Sequence, residues 1–139
     1  MDFSITLSDV ADEAVRRAIT APLLAYNEAQ AGPGGHRPLV LTLADATGLV
    51  TGGLWGATGY GWLYTQLLLV PDSLRSQGLG SRLMREAEAE AVKRGCANAW
   101  VDTQFGAREF YLRLGYTVFG ELSNYPPGFS RSFLCKRLV

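Results

Sequence analysis

The residues best suited to chemistry form a glycine-containing turn, RSQGLG at positions 75–80, between an apolar segment ending at Val70 and a helical pattern from Ser81. The first turn of a helix leaves backbone N–H groups unpaired and carries the positive end of the helix dipole. Two glycines let the backbone approach an anion closely, and Arg75 adds a fixed positive charge. The turn therefore predicts a phosphate or pyrophosphate site, although the same glycines would also suit a tight strand-to-helix turn that binds nothing.

Two other phosphate-binding designs can be compared with this turn. A P-loop requires lysine followed by serine or threonine directly after its second glycine, but Ser-Arg follows Gly80, which excludes it. A dinucleotide-binding turn requires a third glycine, and Leu83 occupies that place. Asp102 lies at about the right distance downstream to bind a ribose hydroxyl. A nicotinamide-dependent oxidoreductase therefore stays open as an alternative.

Two motifs at a consistent spacing carry a family resemblance. VPDSLRSQGLG at positions 70–80 resembles the coenzyme A turn of the GNAT acetyltransferase superfamily, in which R-x-x-G-x-G opens a helix after a strand ending in valine. AREFYLRLGY at positions 107–116 is similar to the family's A-x-x-F-Y-x-x-L-G-[FY] helix. The resemblance covers residues 4–138. It implies an N-acetyltransferase that uses acetyl-CoA as co-substrate and a primary amine of a small molecule or peptide as acceptor; a domain that binds acyl-CoA without turnover is the non-catalytic alternative.

The resemblance also implies roles for individual residues. The implied coenzyme-binding residues are Leu68, Leu69, Val70, Arg75, Ser76, Gln77, Gly78, Leu79, Gly80, Ser81 and Gln104. The first three would present backbone N–H groups to the acetyl carbonyl, and the Tyr111 hydroxyl would protonate the departing coenzyme thiolate. Gln104 stands where the family commonly has an asparagine that binds the pantetheine arm. Ser76 stands where the family usually has glycine, a departure that is tolerable if that position needs no positive φ.

The remaining parts of the reaction are less specified by the sequence. Tyr111 lies on the apolar face of its helix, so a purely structural role is the alternative to catalysis. No general base is evident, because the strand at 62–70 contains no carboxylate; a water held by Tyr64 or Gln66, or direct entry of the neutral amine, are the alternatives. The family fold points to an acceptor pocket around Tyr26, Asn27, Tyr125 and Phe129.

The elements that position these residues follow from apolar periodicity. Strands are predicted at 3–7, 39–44, 49–55, 62–70, 97–101, 116–121 and 133–138. Helices are predicted from Asp9 to an interruption at Pro22, and at 23–29, 81–94 and 107–114. This order predicts one α/β domain over residues 1–139, with a mixed, mostly antiparallel central sheet and helices on both faces. It is also the element order of the GNAT fold.

Composition limits the classes of partner. Thirteen basic residues balance thirteen acidic ones, and no stretch is strongly basic, so we expect no nucleic-acid partner. No apolar run approaches the length of a membrane span, so we expect no membrane partner. Two distant cysteines and a single histidine argue against a metal site and fit reduced thiols in a cytoplasmic protein. The resemblance further implies a homodimer through the late strands.

Overall fold

The computed structural model describes residues 2–139. In chain order the elements are α1 (Glu13–Ala31), β1 (Arg37–Ala44), β2 (Val50–Gly59), β3 (Trp62–Leu69), α2 (Leu79–Lys93), β4 (Asn98–Thr103), α3 (Arg108–Arg113), β5 (Thr117–Ser123) and β6 (Ser130–Arg137). Two compact units divide the chain, the first ending at Gly34 and the second beginning at Gly35. The sheet, α2 and α3 all belong to the second unit. The assignment of residues 1–139 to one domain stays a prediction.

Six strands form one mixed sheet in the order β1-β2-β3-β4-β6-β5. All neighbouring strands are antiparallel except β3 and β4, which are parallel. Parallel neighbours need a crossover connection, commonly a helix, and α2 lies between them in the chain. The predicted α/β class with a mixed, mostly antiparallel sheet is confirmed.

One face of the sheet, together with α2 and α3, encloses the hydrophobic core. The buried face of α2 consists of Leu83, Met84, Ala87 and Ala91. Leu63, Ala99 and Val101 on β3 and β4 are completely buried in the same cluster. Because successive strand residues point to opposite faces, Tyr64 and Trp100 lie on the other face, where their rings stack with centroids 4.1 Å apart.

The amino-terminal segment differs from the prediction in two places. Residues 3–7 form no strand, because apolar alternation shows which side chains could share a face but provides no neighbouring strand to pair with. A single helix replaces the two predicted ones, and Asp12 rather than Asp9 is its N-cap, accepting a hydrogen bond from the Ala14 N–H at 2.8 Å. Pro22 lies inside α1. Proline removes one hydrogen bond there, and the flanking alanines and leucines are strong helix formers.

Candidate active site

The parallel strands β3 and β4 separate and leave a gap between them. Four rungs join the strands, from Trp62 opposite Asn98 to Thr65 opposite Val101. Beyond that point β3 continues to Leu69 and β4 to Thr103 with no pairing between them. Backbone N–H and C=O groups along the two facing edges are therefore available to a ligand.

A β-bulge in β3 accounts for the separation. Trp55 of β2 pairs with Leu67, and the next residue, Gly56, pairs with Thr65, so Gln66 is the extra residue. A Cβ at position 56 would collide with the carbonyl oxygen of Tyr64, so glycine is required for the two strands to approach here. A bulge bends its strand and increases the local twist. It stands directly after the last rung that β3 shares with β4.

The turn at positions 75–80 leads into an uncapped helix. A single 3₁₀ turn, Asp72–Leu74, precedes it, and Gly78 adopts a left-handed φ of 75° immediately before α2. No side chain in residues 2–139 caps the start of α2, and its first hydrogen bond runs from the Arg82 N–H to the Gly78 carbonyl at 3.0 Å. The N–H groups of the three preceding residues are therefore unpaired. With no acidic residue in the first turn of α2, this site fits an anion.

A cleft of about 420 Å³ lies in front of this turn. It is lined by Leu68, Leu69, Val70, Leu74, Arg75, Ser76, Gly78, Leu79, Gly80, Ser81, Phe110 and Arg113. Every predicted coenzyme-binding residue is in this set except Gln77 and Gln104. The Gln104 side chain instead donates from Nε2 to the Tyr125 carbonyl at 2.7 Å.

Three lining residues were missed by the sequence analysis. Leu74 belongs to the 3₁₀ turn, and Phe110 and Arg113 lie on α3. The spacing of Phe110 and Arg113, i and i+3, places them on one face of a helix, so the helical pattern could have identified them as neighbours. Contact between that face and the glycine turn depends on tertiary packing.

Tyr111 on α3 combines a packed ring with a protonated hydroxyl. Its ring is buried, edge-on to Phe110 and Tyr116 with centroid distances of 5.0 and 5.8 Å. Burial, and then the charge of Asp102, raise the pKa of Tyr111 to about 12. Within residues 2–139 the hydroxyl has no hydrogen-bond partner. The ring thus serves the core, as the apolar stripe predicts, while the hydroxyl holds a proton at neutral pH.

Comparison with known proteins identifies the family. The model of the acetyltransferase (GNAT) family matches residues 10–116, which include the glycine turn and the Tyr111 helix. The chain belongs to the GNAT acetyltransferase family. Members use acetyl-CoA, so the family accounts for a cleft with anion-binding features. The nicotinamide-dependent oxidoreductase was the wrong interpretation of the glycine turn.

Proteins similar to this acetyltransferase match between 66% and 97% of its length. Acetyltransferase Atu2258 of Agrobacterium fabrum is 45% identical over 135 residues, covering 96% of this chain and 98% of the relative. Blasticidin-S acetyltransferase of Streptomyces morookaense is 42% identical over 93 residues, covering 66% of this chain and 68% of the relative. A crystal structure of an inferred acetyltransferase from Agrobacterium tumefaciens superimposes with a TM-score of 0.93 at 45% identity, covering 97% of this chain and 99% of that one.

The turn departs from the usual GNAT sequence at one strained position. Ser76 has a φ of 66°, so the condition under which serine would replace glycine there without strain is not met. Ser76 lies between Arg75, which is extended, and Gly78, whose left-handed φ precedes α2. A left-handed conformation costs a non-glycine residue roughly 1–2 kcal/mol. The glycine common in the family would avoid that cost.

A cluster of polar side chains that the sequence analysis missed lies at the gap. The Tyr64 hydroxyl donates to Asp102 Oδ1 at 2.9 Å. Arg131 of β6 donates to Asp102 Oδ2 from Nε at 2.7 Å and also from Nη2. The Arg131 guanidinium lies 4.7 Å from the centre of the Tyr125 ring. Asp102, which the dinucleotide interpretation assigned to a ribose, is thus held by protein side chains.

Residues 2–139 contain neither a candidate metal cluster nor a helix that could span a membrane. No three histidine, cysteine, aspartate or glutamate side chains there are grouped so that they could hold a metal ion. No helix in that range has the length and apolar character needed to cross a bilayer.

Proposed function

We propose that this chain transfers an acetyl group from acetyl-CoA to a primary amine of a small molecule or peptide by direct attack. The observation that carries the proposal is the cleft, which joins the uncapped start of α2 to the edge of β3 at the gap. Acetyl-CoA supplies a thioester carbonyl that an amine can attack. The first-turn N–H groups and Arg75 would hold its pyrophosphate, and the β3 edge would face its acetyl carbonyl.

Backbone donors on β3 would stabilise the charge that develops on the carbonyl oxygen. Leu68, Leu69 and Val70 were the expected donors. Successive N–H groups of a strand point to opposite edges, so Leu68 and Val70 share one direction and Leu69 takes the other. The oxygen would therefore be held either by Leu69 alone or by one or both of the other two.

Tyr111 would act as the general acid for the coenzyme thiolate. Its hydroxyl would give a proton to the departing sulfur as the new N–C bond replaces the C–S bond. The proton lost by the amine nitrogen would pass to water, and water would reprotonate Tyr111. A pKa of about 12 supports this role in one respect, because the donor carries its proton throughout the neutral range.

Coenzyme binding tests the proposal first. Acetyl-CoA at about 100 times its dissociation constant should stabilise the folded chain by about 2.7 kcal/mol, which raises Tm by roughly 5–10 °C at this size. NAD at the same concentration should leave Tm unchanged, as measured by scanning calorimetry. An unchanged Tm with both acetyl-CoA and free CoA at millimolar concentration would contradict the proposal.

Release of free thiol from acetyl-CoA then tests turnover with a panel of primary amines. Blasticidin S belongs in the panel because a relative is named for its acetylation. Peptides with free N-termini or lysines form the second group, and reactions without amine are the control. Coenzyme binding without amine-dependent thiol release would favour the non-catalytic acyl-CoA-binding alternative.

We also propose a homodimer through the late strands. β5 is an edge strand of the sheet and exposes Phe119 and Leu122. An edge strand with exposed apolar side chains is suited to pairing with a second copy. Light scattering should then give about twice the chain mass of 15.1 kDa. A monomer mass across micromolar concentrations would contradict this proposal and leave the catalytic one intact.

A further inference from the structure

The Tyr64–Asp102 pair lies at the gap on the face opposite α2. Leu63 and Thr65 point into the core, so Tyr64 between them points to the other face. Asp102 directly follows Val101, the last residue of β4 that pairs with β3. The hydrogen bond between Tyr64 and Asp102 therefore spans the two strands at the point where they separate. The cleft reaches the same β3 edge from the turn and α3.

Asp102 is held in one orientation by two side chains. Its side chain is only 5% exposed, and a carboxylate in such a position is retained only when it is paired. Arg131 provides that pairing at Oδ2, while Tyr64 occupies Oδ1. A doubly held arginine–carboxylate pair is geometrically specific. The Tyr64 hydroxyl consequently has a fixed acceptor for its proton.

The hydrogen bond that the Tyr64 hydroxyl donates to Asp102 determines what Tyr64 can bind. A phenolic hydroxyl has one proton to donate and lone pairs that accept. Because the proton points to Asp102, only the lone pairs remain for a ligand. A ligand group at this position must then be a hydrogen-bond donor, such as an N–H of an amine.

We propose that Tyr64 Oη accepts a hydrogen bond from the acceptor amine and holds its nitrogen at the gap, on the face opposite α2, with Asp102 as the positioning residue behind Tyr64. This inference rests on the proposed acetyl transfer and identifies where the acceptor binds. As the amine attacks, its nitrogen gains positive charge. The contact with Tyr64, which is polarised by Asp102, therefore strengthens towards the transition state, where binding accelerates the reaction.

The charged and titratable groups around Tyr64 keep its hydroxyl protonated across neutral pH. Asp102 faces it from β4 and Arg131 from β6, Tyr125 lies beneath Arg131, and Tyr111 of α3 is within electrostatic range of Asp102. Burial, and then the hydrogen bond to Asp102 and its charge, raise the pKa of Tyr64, while Arg131 lowers it. The hydroxyl thus remains protonated where the enzyme is assayed.

The test is Tyr64→Phe with Tyr116→Phe as a matched control. Tyr116 also donates to a carboxylate at 2.9 Å, from its hydroxyl to Glu88, but it lies in the core. We expect Tyr64→Phe to lower kcat/KM for the accepted amine about 10- to 100-fold, as for a lost hydrogen bond to a charged group. Its coenzyme-induced Tm shift should equal that of the wild type. Tyr116→Phe should keep kcat/KM within about twofold.

Two further readouts separate a contact with the amine from a structural effect. The pH dependence of kcat/KM in Tyr64→Phe should keep its shape at a lower level, because the lost group does not titrate in that range. Calorimetric affinity for the acetylated amine should fall, since its amide N–H loses the same contact. Unchanged kcat/KM in Tyr64→Phe, or equal losses in both variants, would overturn the inference. A wild-type protein that acetylates no amine would instead overturn the proposed function.

Discussion

Replacing Tyr111 with phenylalanine should lower kcat about 100-fold and leave the fold and the coenzyme affinity nearly unchanged. The ring contacts with Phe110 and Tyr116 remain, because only the hydroxyl is removed. If that hydroxyl protonates the departing thiolate, its loss acts in the transition state and lowers kcat more than it raises KM. Steady-state thiol release measures kcat, and the coenzyme-induced Tm shift measures binding.

The size of this effect follows from the pKa of the donor. General acid catalysis typically contributes about 10²–10⁴-fold and is most effective when the pKa lies near the working pH. Burial keeps Tyr111 protonated but also raises its pKa to about 12. An ordinary thiol has a pKa of about 8.5, so this proton transfer is unfavourable in isolation. We therefore expect the lower end of the range.

Tyr116→Phe is the control here too, because its ring neighbours that of Tyr111 while its hydroxyl is bound to Glu88. It should keep kcat. A Tyr111→Phe protein with a near-normal kcat on any accepted amine would disprove the acid role and leave the coenzyme site untouched.

Replacing Gly80 with valine should weaken acetyl-CoA binding roughly 10- to 100-fold. Gly80 lines the cleft at the first turn of α2. A Cβ there would lie 3.3 Å from two ring atoms of Phe110, which lines the same cleft. The two valine methyl groups extend further and force the ring or the coenzyme to move, and such overpacking typically costs about 1–3 kcal/mol. Isothermal calorimetry with acetyl-CoA measures the change.

Gly120→Val is the matched control for this substitution. A Cβ at Gly120 on β5 would meet nothing within 4 Å, and the backbone φ of Gly120 is not positive. This variant should bind acetyl-CoA as the wild type does. Gly80→Val should also lose some stability, since the ring it displaces packs against the core. A folded Gly80→Val protein with wild-type affinity would place the coenzyme elsewhere.

Short-range patterns predicted the parts of the site that depend on local geometry. The glycine turn, the α2 helix and the Tyr111 helix each follow from spacing within a few residues, and the structure has all three. The strand predicted at residues 3–7 failed because pairing requires a second strand that alternation cannot specify. The left-handed conformation of Ser76 could not be predicted, because serine gives no indication of a positive φ, which only the path of the turn imposes.

The contacts of Asp102 with Tyr64 and Arg131 depend on the register between strands that lie far apart in sequence, so the sequence alone could not show them. Asp102 meets Tyr64 because β3 and β4 pair in parallel up to Val101, and it meets Arg131 because β4 and β6 are antiparallel neighbours. These residues lie up to 67 positions apart (131 minus 64). Each alone resembles an ordinary surface or core residue. A correct strand order would have been needed to place them together.

Because Arg75 is exposed and Asp102 is buried, the coenzyme-binding turn and the Tyr64–Asp102 pair should respond differently to ionic strength. Its side chain is 62% exposed, and its ion pair with Asp72 at 2.8 Å is also open to solvent. Such a pair contributes little, so Arg75 is not withheld from an incoming pyrophosphate. Dissolved ions reduce attraction between exposed charges beyond about 8 Å at physiological salt, whereas buried pairs are screened much less. Added salt should therefore weaken the attraction of Arg75 for the coenzyme phosphates while leaving the Asp102–Arg131 contact, and the orientation of Tyr64, largely intact.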